Sequence, residues 1–200
     1  MFNLKALFTR ALLALTLACG AGAALAGPTY HVTLNTAEFD GTVGYLDLLF
    51  LAEGSAAPAT ATFSNFVGNF GAAAVLEGDA SGSVGTGVIL GNTTGFNDFL
   101  QAVNFGGLFS FDVRFDADAG VDGSTLSIAL FNEAFDSYLG AAGNLAEFAL
   151  LPGAADDVRN LAGDIVTISV AADVPEPDAW MLMALGLLLL AYTLRRQAAR

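Results

Sequence analysis

The sequence predicts an antiparallel β-sandwich, jelly-roll-like, flanked by an N-terminal signal peptide and a single C-terminal transmembrane helix. Three observations lead there. Short apolar segments alternate with polar residues at period two through the middle of the chain, turn residues such as Gly, Asn and Asp separate them, and an apolar run nearly free of charge stands at each end. The resulting division is a leader at 1–26, an exported β domain at 27–173 and a C-terminal segment at 174–200.

The leader MFNLKALFTRALLALTLACGAGAALAG places Lys5 and Arg10 ahead of the apolar stretch Ala11 to Ala18, and small residues ending Ala24-Leu25-Ala26 follow. This charged, apolar, A-x-A order is that of a secretory signal peptide, with cleavage expected between Ala26 and Gly27. The run is shorter than the ~20 residues of a membrane span. A competing form of processing is lipidation of Cys19, since Leu17-Ala18-Cys19-Gly20 loosely resembles a lipobox, although Thr16 stands where a larger aliphatic residue is usual. Cys19 is the only cysteine, so a domain cleaved after Ala26 carries neither disulfide nor thiol chemistry.

The charge is unevenly placed. Five of the seven basic residues lie in the terminal segments, and from Gly27 to Val174 there are 18 acidic residues against Arg114 and Arg159, a net charge of -16. Such a surface repels phosphate backbones, so nucleic acid is excluded as a partner. About 148 residues is one ordinary domain, long enough to bury a core without staples.

Tyr30, Val32 and Leu34 alternate with His31, Thr33 and Asn35, which makes the first strand half-buried. The same pattern recurs in Phe109 to Phe115, Leu126 to Leu130 and Val166 to Val170, and further strands are expected at Tyr45 to Leu51, Ala59 to Phe66, Val84 to Leu90 and Glu147 to Leu151. That makes eight or so strands. Thr94 to Ala102 places Phe96, Phe99 and Leu100 at helical spacing and predicts a short helix, and the glycine-rich Gly78 to Gly91 predicts a loop feeding a strand. Ala171 to Val174 is the expected linker.

Chemistry-bearing residues are sparse. Asp112, Asp116, Asp118 and Asp122 form the densest acidic cluster, and closely spaced oxygen ligands suit Ca²⁺, the one metal expected here if any; no other cofactor is implied. The spacing is not that of an EF-hand, because Val121 and Ser127 occupy the positions where Gly and Glu are needed, and a solvated turn is the alternative. Glu38, Asp40 and Asp47 are carboxylates that would serve glycoside hydrolysis if they shared a cleft. The sole histidine, His31, lies on the polar face of its strand, and any nucleophilic triad has to use it. Twelve phenylalanines from Phe63 to Phe148 are expected mainly in the core, sugar platforms only where exposed. No catalytic residue is identified, and an enzyme is not expected.

The C-terminus reads VPEPDAWMLMALGLLLLAYTLRRQAAR. Ala179 to Leu194 is 16 residues without a charge, roughly 24 Å of helix at ~1.5 Å per residue. Trp180 and Tyr192 suit the two membrane interfaces, and Arg195, Arg196 and Arg200 suit the cytoplasmic side, which leaves the acidic domain outside. Ahead of the run, Pro175 and Pro177 hold the chain extended at Val174 and Glu176. Val174-Pro175-Glu176-Pro177, an apolar helix and an arginine cluster, in that order, closely resemble the PEP-CTERM sorting signal of Gram-negative bacteria.

The resemblance covers about 27 of the 200 residues. It implies recognition by an exosortase, transient residence in the inner membrane through the C-terminal helix, and export to the cell surface or an extracellular matrix of exopolysaccharide such as a biofilm. The function expected on this basis is that of a sorted surface or matrix protein, structural or adhesive within exopolysaccharide. The alternatives are a carbohydrate- or calcium-binding sandwich module and a secreted glycoside hydrolase.

Overall fold

The computed structural model describes residues 27–118, 123–151 and 154–171, together with Gly186. The described residues form twelve strands: β1 (Thr29–Asn35), β2 (Val43–Ala52), β3 (Ala59–Val67), β4 (Phe70–Glu77), β5 (Ala80–Ser83), β6 (Gly87–Gly91), β7 (Phe96–Asn104), β8 (Leu108–Ala117), β9 (Ser124–Asn132), β10 (Ala146–Leu150), β11 (Asp157–Asn160) and β12 (Val166–Ala171). One turn of 3₁₀ helix, Ala37–Phe39, joins β1 to β2. The expected signal peptide and the expected transmembrane segment apart from Gly186 lie outside the described residues, as does the expected linker from residue 172 on, whereas Ala171, expected to open that linker, ends β12. Among those described, no helix is long and apolar enough to cross a membrane.

Two six-stranded antiparallel sheets result. The first has the order β12-β1-β8-β3-β6-β5 and the second β11-β10-β9-β2-β7-β4. The alternation read in the sequence decides which side of each strand turns inward. Val32 and Leu34 of β1, Leu46, Leu48 and Phe50 of β2, Phe109, Phe111 and Val113 of β8, and Leu126, Ile128 and Leu130 of β9 are all buried in one core. Rings from the two sheets meet there, Tyr30 of β1 lying 5.2 Å and Phe115 of β8 lying 5.6 Å from Phe148 of β10. Each fully buried Phe or Leu contributes about 1.5–3 kcal/mol, so this apolar interior is the main stabilising term.

The expected helix at Thr94 to Ala102 is instead β7, a strand between β2 and β4. Its inward residues are Asn97, Phe99, Gln101 and Val103, two of them polar, and this inverted polarity hides the period of two. Both amides find partners. Asn97 donates to the carbonyls of Phe50 (3.0 Å) and Thr94 (2.8 Å) and accepts from the Asp79 N–H (2.8 Å). Gln101 donates to the carbonyls of Gly71 (2.8 Å) and Ala73 (3.0 Å), at the place where β4 slips register against β7 between Phe70 and Ala74. Satisfied in this way, the two amides are tolerated in the interior.

The glycine-rich stretch expected as a loop contains a hairpin, β5 to β6, with its turn at Val84 to Thr86. Gly82 has φ +102°, and a Cβ there would lie 2.1 Å from the Gly87 carbonyl oxygen, so the glycines are what allow the two short strands to approach. Strands β4 and β11 have no counterpart among the expected strands, and β6 starts three residues later than the alternation suggests.

The chain ends of the domain are adjacent. Thr29 at the start of β1 pairs in register with Ala171 at the end of β12, and β12 is an edge strand. The leader and the C-terminal segment therefore leave the same end of the sandwich.

Candidate functional site

Strand geometry sets Asp112 apart from Asp116. Asp112 and Asp116 point to the same outer side of β8, four residues apart, which is ~13 Å at ~3.3 Å per residue. Asp112 is committed to its neighbours: His31 Nδ1 lies 2.6 Å from its Oδ1, and the Asn65 amide donates to its Oδ2 at 2.6 Å. Burial by itself would raise the Asp112 carboxyl, but these hydrogen bonds and the His31 charge outweigh it and hold it below the usual range. Asn65 reaches across because β3 carries a bulge there, with φ +55° at Asn65 and a register shift between Ser64 and Val67.

His31 has Asp112 on one side and Ser169 of β12 opposite it in register on the other. A nucleophilic triad needs the second ring nitrogen on a hydroxyl, and no hydrogen bond joins Ser169 to His31. The histidine is a cross-strand tie on the outer face of the first sheet.

Asp116 and Asp118 lie at the end of the sandwich, where they line a hollow of about 440 Å³ with Gly27, Tyr30, Ser124 and Asp156. The Tyr30 hydroxyl donates to Asp156 at 2.9 Å. Burial first, then that hydrogen bond and the Asp156 charge, push the phenol well above its ordinary range. Asp122 lies outside the described residues. Among those described, no group of three or more His, Cys, Asp or Glu side chains is arranged to hold a metal ion.

A carboxyl pair is present, though not the one the sequence pointed to. Asp47 of β2 and Asp98 of β7 are diagonal neighbours on the outer face of the second sheet, Asp47 opposite Leu100 and Asp98 opposite Leu49. The Oδ1 atom of each is shut off from water with no hydrogen-bond partner. Burial, then the hydrogen bond and charge of Asp98, push Asp47 up to about 8. Burial also raises Asp98, the hydrogen bond from Asp47 lowers it, the Glu77 charge raises it and the Phe99 N–H lowers it, with a net rise. With burial raising both carboxyls, the pair shares a proton at neutral pH.

Glu38 and Asp40 are not part of this pair. Glu38 sits on the 3₁₀ turn, Asp40 packs against Gly106, and β2 carries Asp47 ~13 Å beyond Val43. The three carboxylates that would serve hydrolysis if they shared a cleft are not brought together. Asp98 is hidden in the sequence because its segment has the spacing of a helix; its pairing with Asp47 becomes visible only once β7 lies beside β2.

The residues that carry the sorting resemblance follow the last strand directly. Ala24 and Ala26 before Gly27, and Val174, Pro175, Glu176, Pro177, Trp180, Tyr192, Arg195, Arg196 and Arg200 after β12, lie outside the described residues. Residues 173–197 match the family model described as the PEP-CTERM protein-sorting motif. No curated protein and no solved structure matches the chain.

Proposed function

From the premise that this chain is a PEP-CTERM protein, we propose that it is exported, held briefly in the inner membrane by its C-terminal helix, processed by an exosortase and delivered to the cell surface or extracellular matrix, where its sandwich acts as a structural or adhesive component of exopolysaccharide. The observation that carries the reading is the motif at residues 173–197, which begins two residues after β12 ends at Ala171. With so short a connection, an uncut tail keeps an acidic domain against the bilayer, where anionic lipid repels it. Removal of the tail relieves that repulsion and frees the domain.

Strand order supports the finer, jelly-roll reading of the fold. The run β1-β8-β3-β6 in one sheet and β2-β7-β4 in the other arises because the chain changes sheets at nearly every connection. Strand β5 pairs with β6, β9 to β11 extend the second sheet beyond β2, and β12 extends the first beyond β1.

The test is the intact mass and C-terminal peptides of the mature protein from its native host, with and without the host's exosortase. Enzyme-dependent loss of the sequence beyond Pro175-Glu176-Pro177 is the expected result. A tail intact to Arg200 in both strains would refute sorting and leave a plain membrane anchor.

A further inference from the structure

We infer that the far end of the second sheet's outer face is a binding site for an uncharged sugar polymer, built on Tyr45, Phe135 and Tyr138 beside a hollow edged by Asn104 and Glu133. The inference deepens the exopolysaccharide role proposed above and rests on it for the ligand's setting.

The rings form one band. Phe131 of β9 lies beside Tyr45 of β2 in register and carries Phe135 at 4.2 Å and Tyr138 at 4.5 Å between centroids, while Phe135 meets Tyr45 edge-on at 5.9 Å. Phe131 is 9 % exposed and serves as the base, whereas Phe135 and Tyr138 remain 48 % and 46 % exposed. Large aromatics left this open, side by side, offer apolar faces to a partner.

The loop between Phe131 and Tyr138 is built to hold Phe135 there. Asn132 accepts from the N–H groups of Asp136 (3.1 Å) and Ser137 (3.3 Å), donates through its side-chain amide to Asp136 (2.7 Å), and accepts from the Phe135 N–H through its carbonyl (3.0 Å). Phe135 itself has φ +56°, a conformation a bulky side chain adopts only when its surroundings impose it. The loop accepts that strain and in return presents a ring to solvent.

Next to the band, small side chains leave space. Gly44, Gly71 and Ala102 help to line a hollow of about 200 Å³, room for one sugar ring, whose wall includes Tyr45, Asn104 and Glu133. Glu133 makes no hydrogen bond or ion pair among the described residues, and its carboxylate is open to hydroxyl donors. The C–H faces of a pyranose are weakly positive and suit the negative faces of aromatic rings.

Charge selects the class of ligand. Glu133 and Asp136 flank the band, the domain carries a net charge of -16, Arg114 projects from the other sheet, and Arg159 is paired with Asp157 at 2.7 Å. A uronic-acid polymer or a second copy of this chain would bring like charges together, whereas a neutral polysaccharide would not. The band is also well placed for reach. It lies ~23 Å along β9 from Ser124, which lines the same hollow as Gly27 at the end where the membrane-directed segments leave.

The test is native electrophoresis of the exported protein, purified from its own host, through gels containing a neutral β-glucan, a galactomannan, dextran, or alginate as the charged polymer. Retardation by at least one neutral polymer and none by alginate is expected. Phe135→Gly, which removes the ring while relieving the backbone, and Tyr138→Ala should each weaken binding about five- to tenfold. Phe96→Ala serves as the control, because Phe96 is 49 % exposed on the same face but ~20 Å away along β7.

No retardation in any neutral gel, retardation by alginate alone, or equal weakening by Phe96→Ala would overturn the site. If Tyr138→Ala fails to fold, Phe135→Gly decides alone. A blank result from protein whose tail has been cut refutes the sugar site and leaves sorting intact; retardation of protein that still ends at Arg200 does the reverse.

Discussion

Replacing Asp47 by asparagine should remove most of the pH dependence of the sandwich's stability between pH 5 and 8. In the folded protein burial and the neighbouring Asp98 carry the Asp47 carboxyl up to about 8, whereas the unfolded chain releases that proton near the ordinary value of about 4. The folded state therefore binds more protons across this interval. The contribution is fully present below pH ~4 and is lost as the pH rises through about 8, with a slope of at most ~1.4 kcal/mol per pH unit and a total on the order of 5 kcal/mol. A domain of this size shifts by roughly 2–4 °C per kcal/mol, so the exported protein should melt on the order of 10–20 °C lower at pH 8.5 than at pH 5. The substituted amide keeps the shape of the carboxyl and still donates to Asp98, so the variant should show a nearly flat profile and should outlast the parent at pH 8.5. Thermal unfolding followed by circular dichroism from pH 5 to 9 provides the measurement. An equal slope in parent and Asp47→Asn would refute the reasoning, since the pH dependence would then belong to the general acidity of the surface.

Other substitutions test other parts of the fold. Phe63→Ala empties a fully buried site against Phe66 and Phe111 and should cost about 3–5 kcal/mol, read by urea denaturation. Gly82→Ala sets a Cβ 2.1 Å from the Gly87 carbonyl at φ +102° and should cost about 1–3 kcal/mol, with amide exchange speeding up in β5 and β6 ahead of the rest. Asp112→Asn weakens the tie to His31 and Asn65. Because the folded Asp112 carboxyl is held low, its contribution is present above pH ~4 and lost as the pH falls through the folded value, so the variant should melt below the parent at pH ~6 and the gap should close progressively in stronger acid, read by thermal unfolding across that range.

Where one side of a strand is apolar and the other polar, the sequence is a sufficient guide: β1 and β8 bury the residues the alternation turns inward, whereas β9, placed correctly, is buried on both sides and β12 leaves Val170 exposed. It fails where polarity and burial part company. Asn97 and Gln101 face inward in β7 because backbone carbonyls around a slipped β4 need donors, a requirement that exists only after the strands have paired. Ala-rich β4 and Gly-rich β5 carry too little side-chain contrast for any period to show. The candidate sites follow the same rule. Phe135 and Tyr138 are indistinguishable in sequence from core aromatics, and it is the φ of Phe135, set by Asn132, that turns a ring outward. The acidic run from Asp112 to Asp122 reads as one cluster, yet Asp112 and Asp116 stand ~13 Å apart along β8 and Asp112 is taken up by His31 and Asn65.

The register Thr29 to Ala171 gives the molecule a direction. Both terminal segments leave one end, and the strand next to the sorting motif is an edge strand whose backbone ladder is the six register pairs with β1, from Thr29 with Ala171 to Leu34 with Val166. A pull on Ala171 directed across the sheet opens those pairs one after another from Ala171 inward, whereas a pull along the strand loads all six together in shear. Side-chain packing along β12 offers modest resistance, because Thr167, Ser169 and Val170 are exposed, Ile168 is half-buried against the core and Val166 is the one enclosed side chain among residues 166–170. The aromatic band sits at the opposite end and on the other sheet, so peeling β12 leaves Tyr45, Phe135 and Tyr138 undisturbed.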